Sequence, residues 1–118
     1  MEATKQSGSC HCRKVTFETT LAPDKVMSCN CSICNRVGAL RVFVPATQFK
    51  LLTGADSLTD YQFGKQHLHH TFCKVCGVHA FASGNAKDGS LMYAVNTRCL
   101  EGVDVTKAEV THFDGRKL

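Results

Sequence analysis

Eight cysteines stand in a chain of 118 residues, and seven of them fall into three tight groups: "CHC" at 10–12, "CNCSIC" at 29–34 and "CKVC" at 73–76. Thiols at C-x-C or C-x-x-C spacing are too close along the chain to close a useful disulfide loop. They converge readily on one metal ion instead. The opening "MEATKQSGS" lacks the apolar stretch of an export signal, so a reducing, cytoplasmic setting is expected, where thiolates take metals rather than pair with each other.

Spacing divides the seven thiols. "CKVCG" is a zinc knuckle, a tight turn whose amide N–H groups point at the two sulfurs, with Gly77 free to take a positive φ. In "CHC" the two cysteines are i and i+2, so an extended segment projects both to one face. Together Cys10, Cys12, Cys73 and Cys76 complete a four-cysteine shell, closed and structural, bridging about sixty residues of chain. Cys29, Cys31 and Cys34 hold both spacings at once and reach a second ion unaided. Three protein ligands with an open fourth position is the layout of catalytic zinc. The competing possibility is a fourth protein ligand, with Cys99 first and His11, His70 or His79 behind it. Cys99 otherwise reads as a small buried apolar residue, and His67, His69, His70 and His79 as ordinary strand histidines. Arg36, Arg41 and Arg98 are cations able to fork onto a carboxylate, although arginines taken singly are usually surface charges. Arg36, two residues after Cys34, is the first candidate to bind substrate.

Metal binding would change the charge balance. The formal net charge of +4 counts every thiol as neutral. Seven thiolates on two Zn²⁺ ions bring it down to about +1, which removes the basic footprint of a nucleic-acid binder. Apolar runs as short as "VFV" at 42–44 exclude a membrane-spanning helix.

The elements that must position these groups alternate with a period of two. "VTFET" (15–19), "LRVFV" (40–44), "HLHHTF" (67–72) and "LMYAV" (91–95) read as strands. Further strands are expected at 48–52, 58–63, 78–82 and 108–113. No window of ten or more residues carries a helical repeat, and a single turn is expected near "PATQF" (45–49), with Pro45 opening it. Gly54, Gly64, Gly84, Gly89 and Gly102 punctuate the runs. The expectation is one all-β domain of short strands joined by turns over 8–118, preceded by a polar, flexible terminus at 1–7.

The ordered set "GSCHC" with "VTF", "CNCSIC", "HTFCKVCGVHAF" and "NTRCLEGVD" resembles the glutathione-dependent formaldehyde-activating enzyme family, a group that includes the centromere protein V domain. The resemblance runs from about Gly8 to about Phe113. It implies a β-tent fold of zinc-stapled antiparallel sheets, a structural zinc on Cys10, Cys12, Cys73 and Cys76, and a catalytic zinc on Cys29, Cys31 and Cys34. The implied activity is that of a carbon–sulfur lyase, joining formaldehyde to the thiol of glutathione to give S-(hydroxymethyl)glutathione. Arg13 and Lys14 depart from the pattern, since many members carry small residues such as Gly-Ala there.

Three chemistries compete for the trio. Zinc held by three thiolates is electron-rich, so capture of a substrate thiol is favoured over polarising an aldehyde oxygen. A non-catalytic protein-interaction module would close the shell with Cys99 or a histidine. A redox or metal-handling role would release zinc on mild oxidation.

Overall fold

The computed structural model describes residues 2–64 and 68–117. Ten strands fall into two sheets among these residues. In the smaller, β1 (Thr4–Ser9) pairs antiparallel with β2 (Thr16–Leu21), and β2 pairs with β5 (Phe49–Thr53). The larger sheet comprises β3 (Lys25–Cys29), β4 (Arg41–Pro45), β6 (Leu58–Tyr61), β7 (Leu68–Cys73), β8 (Phe81–Asn85), β9 (Leu91–Asn96) and β10 (Glu109–Phe113). Its strand order is β10-β3-β4-β9-β8-β7-β6. Every pairing is antiparallel except β10 with β3, which runs parallel and sets Phe113 opposite Cys29. The chain is all-β, with one short helix, α1 (Cys34–Val37), among the described residues.

In β2 alternation decides which face is buried. Along β2, Phe17, Thr19 and Leu21 turn inward while Thr16, Glu18 and Thr20 are part-exposed. The sheets meet through four rings. Phe17 stacks on Phe49 at 5.3 Å, Phe49 stacks on Tyr93 at 4.1 Å, and Phe81 lies 4.8 Å from Phe49 and 6.0 Å from Phe17. Two of these rings come from each sheet, so the aromatic cluster joins the layers. Cys10 and Cys73 belong to the same buried core, so the sulfur chemistry starts at its edge.

Most expected strands are present, with some shifts. The run expected at 78–82 begins instead at Phe81, because the knuckle's turn extends beyond Cys76. The turn expected at "PATQF" is a 3₁₀ turn, Ala46–Gln48, and Pro45 stays extended ahead of it. His67, the first residue of one expected strand, lies outside the described residues. The polar start is not a frayed tail. Residues 4–7 are strand, paired with β2 and tied further by the Glu101 N–H donating to the Ser7 carbonyl at 2.8 Å. Backbone pairing holds there without side-chain burial. The β3 strand and α1 also went unpredicted, being too short for either periodicity to register. No helix among the described residues is long and apolar enough to cross a membrane.

Phe17 is fully buried, whereas Phe43 is 51% exposed. Phe17→Ala is expected to cost about 3–5 kcal/mol in urea unfolding of the metal-loaded protein. Phe43→Ala should stay within about 0.5 kcal/mol.

Candidate metal centres

The first centre is assembled from two turns far apart in sequence. After β1 the chain reverses: the Cys10 N–H donates to the Val15 carbonyl at 3.0 Å, and the Arg13 N–H to the Cys10 carbonyl at 3.3 Å. Arg13 takes a φ of 67°, a region that favours glycine, which gives the departure at 13–14 a backbone meaning. At the end of β7, the Gly77 N–H donates to the Cys73 carbonyl at 2.8 Å, with φ of 79° at Gly77. The knuckle turn is therefore formed as its sequence requires. Its Val75 N–H points at the Cys73 sulfur at 3.4 Å, and the Val15 N–H points at the Cys10 sulfur at 3.4 Å. The sulfurs of Cys10 and Cys12 lie 3.7 Å apart and those of Cys12 and Cys73 lie 3.6 Å apart. All four sulfurs, Cys76 included, fall within 4.8 Å of one another.

This crowding spreads the thiol acidities. Burial pushes Cys76 up, but the N–H groups of Cys12 and Val78 and the thiols of Cys10 and Cys73 outweigh it and bring it down to about 6. For Cys12 the Lys14 N–H lowers the value, but desolvation and the three neighbouring thiols carry it to about 11. The thiols share protons and converge on one point, which suits a soft or borderline cation.

The second centre is local. Cys29 ends β3, Cys31 lies in the loop, and Cys34 opens α1. The Asn35 N–H donates to the Cys31 carbonyl at 2.9 Å, and Gly38 closes the helix in the left-handed region with its N–H on the Cys34 carbonyl. This single turn brings the three sulfurs within 4.8 Å of one another. Burial opposes ionisation of Cys31, yet the N–H groups of Cys34 and Ile33 and the neighbouring thiols lower it. Burial raises Cys34 to about 12, with the Cys31 thiol adding to it and the buried Arg41 opposing. The centre thus sets a thiol whose ionisation is eased beside one whose ionisation is opposed.

The candidates for a fourth ligand lie elsewhere. Cys99 sits in the 3₁₀ turn Thr97–Cys99, where burial and the thiols of Cys10 and Cys76 push it to about 11. It therefore borders the four-cysteine centre as a protonated core thiol. His11 is exposed, the His70 ring stacks on Phe63 at 5.4 Å, and the His79 ring lies 5.1 Å from Phe72. His69 pairs with Asp60 at 2.7 Å. Among the described residues, no histidine, aspartate, glutamate or further cysteine joins the trio.

Arg36 is exposed, and one of its end nitrogens donates to the Ser32 carbonyl at 2.8 Å. It lines a cavity of about 390 Å³ with Val37, Gly77, Val78, His79 and Asn96, between α1 and the knuckle. Arg98 is exposed, as expected of a surface arginine. Arg41 is no surface charge: it is 6% exposed and donates to the Ala94 carbonyl at 3.2 Å. Burial and then Arg41 hold both His70 and His79 below the usual imidazole value, so the His79 ring in the cavity stays neutral. Sequence reasoning also missed Asn30, whose contacts are described below. No spacing rule marks a lone asparagine between two cysteines.

The family described as glutathione-dependent formaldehyde-activating enzyme matches residues 5–115. A crystal structure of a Rhodobacter sphaeroides protein, a structural genomics target, superposes with a TM-score of 0.78 at 32% identity. The match covers 89% of this chain and 99% of that one.

The two centres should respond separately to substitution. Wild-type protein is expected to carry two zinc ions per chain by elemental analysis, and Cys31→Ser one. Cys73→Ser should instead abolish cooperative thermal unfolding, because the closed centre couples metal to fold.

Proposed function

The chain belongs to the glutathione-dependent formaldehyde-activating enzyme family, and from that premise we propose that it is a zinc-dependent carbon–sulfur lyase that joins a thiol, glutathione, to formaldehyde or a related small aldehyde. The observation that carries the reading is the three-sulfur cluster of Cys29, Cys31 and Cys34, with Cys99 lying beside the other centre. An interaction module with two closed shells would want Cys99 or a histidine beside the trio, so the open reading is preferred.

The reaction is an addition without redox change. The thiol sulfur forms a bond to the aldehyde carbon, the carbonyl π bond breaks, and the proton lost from sulfur ends on oxygen. Cys29, Cys31 and Cys34 would hold the zinc, which when bound would favour a thiolate over a thiol at its remaining position. The chain's own residues do the rest. Three thiolates around a divalent ion leave one net negative charge, which disfavours an anionic ligand unless cations stand near. Arg36, pinned to the loop through the Ser32 carbonyl, has further N–H donors for a substrate carboxylate. The cavity between α1 and the knuckle provides volume for the rest of a peptide-sized thiol. Neutral His79 on its wall offers a ring nitrogen to receive the thiol proton.

The test is two-dimensional exchange NMR on glutathione and formaldehyde with zinc-loaded protein. Exchange faster than in buffer is expected, with Cys31→Ser returning it to the uncatalysed rate. Arg36→Ala should raise KM for glutathione about tenfold and leave kcat nearly unchanged, as for the loss of a ground-state contact to a charged group. Exchange no faster than in buffer would overturn the proposal.

A further inference from the structure

The turn after β10 lies directly against the three-cysteine cluster. Parallel pairing of β10 with β3 carries the chain to Phe113 opposite Cys29, and the next residues fold over the loop. One residue, through both its backbone and its side chain, anchors them. The Asn30 N–H donates to the Phe113 carbonyl at 3.2 Å, and the Asn30 side-chain amide donates to Asp114 Oδ1 at 3.0 Å. In return, Arg116 gives its backbone N–H to Asn30 Oδ1 at 3.2 Å and its Nε–H to the Asn30 carbonyl at 2.9 Å. Asn30 stands between Cys29 and Cys31, so these four hydrogen bonds fix the part of the loop that sets the spacing of those two sulfurs.

Gly115 fills the remaining gap. It is buried, and a Cβ built on it would lie 2.6 Å from the Cys29 sulfur, 2.9 Å from the Cys31 Cβ and 3.4 Å from the Cys31 N. Its φ is not positive, unlike that of Gly38, Gly54 or Gly77. The requirement for glycine is therefore one of space and not of backbone conformation. The Cys29 sulfur cannot simply move aside, because the Cys31 N–H points at it at 3.5 Å.

We infer that the turn at 114–116 is a wall of the three-cysteine centre, with Gly115 and Asn30 as positioning residues that hold Cys29 and Cys31 in ligating geometry. The wall covers the Cys29–Cys31 edge of the sulfur triangle. On the Cys34 side no such contact is made among the described residues, and α1 leads from Cys34 to Arg36 and the cavity. The inference rests on the zinc reading of this cluster and not on the identity of the substrate.

Metal binding tests it without any assay of catalysis. Full-length wild type, Gly115→Ala, Gly115→Val and Asn30→Asp would be loaded with zinc and titrated with a chromophoric chelator, and loaded separately with Co²⁺ to read thiolate coordination by absorption. Asn30→Asp keeps the size of the side chain but removes its donor and sets a charge beside Asp114. Wild type should hold two ions. Gly115→Ala and Asn30→Asp should bind the second ion about 10–100-fold more weakly, as for other groups that orient metal ligands, and Gly115→Val more weakly still. The first ion and cooperative melting should persist in all of them, which shows that the variants fold. Gly115→Val holding both ions as tightly as wild type would overturn the wall. A wild-type chain that takes one ion would overturn the zinc reading and the wall with it.

Discussion

The structure depends on the convergence of two turns that are 61 residues apart at Cys12 and Cys73. Each turn is set up by its own backbone: the reversal at 10–15 by the Cys10–Val15 hydrogen bond, and the knuckle by Gly77. Neither alone can gather four sulfurs. When they meet, the end of the small sheet is fixed to the end of β7 in the large one, and the same approach buries Cys10 and Cys73 against the aromatic core. Closing so long a loop is costly in chain entropy. A domain of this size, whose layers meet mainly through four rings, gains much from a staple at that point.

With the sheets held, β4 and β9 carry Arg41 into the interior, paired in register with Asn96 and Met27. Its guanidinium acts on Cys34, on Cys99 and on His70 and His79. A buried cation of this kind is tolerable only where negative charge is near. Of the three clustered thiols, Arg41 favours ionisation of Cys34, and behind burial it also lowers the cavity histidine. The buried charge and the sulfur cluster are thus coupled, although they lie on different strands.

What the sequence made legible follows from how local each interaction is. The alternation of β2 records burial on one face, and β4, β7 and β9 carry the same apolar rhythm in sequence although their buried residues do not alternate, so these strands were readable. So were both sulfur groups, because C-x-C and C-x-x-C encode their own geometry. β1 was not readable: its residues are mostly exposed and it is held by backbone pairing, which leaves no mark in side-chain type. The burial of Arg41 was also hidden, since a cation within "LRVFV" looks the same inside or outside until the partner sheet is placed. Gly115 was the least visible. A glycine needed for a turn usually sits among turn residues, whereas this one is needed by a sulfur 86 positions earlier in the chain, at Cys29.

The contrast between the two centres follows from the same argument about locality. A shell drawn from two distant turns is surrounded by both, so all four positions are protein and an ion held there would serve the fold. A shell drawn from one loop encloses an ion on one side only. The other sides must be supplied by whatever the fold places there. Here the fold places a glycine turn against Cys29 and Cys31, and a cavity lined by Arg36 and His79 beyond Cys34. One side is backed by main chain too tight for a methyl group, and on the other α1 leads to a cavity with a cation on its rim. "CNCSIC" brings three sulfurs together, but what stands against two of them is decided by residues at the far end of the chain.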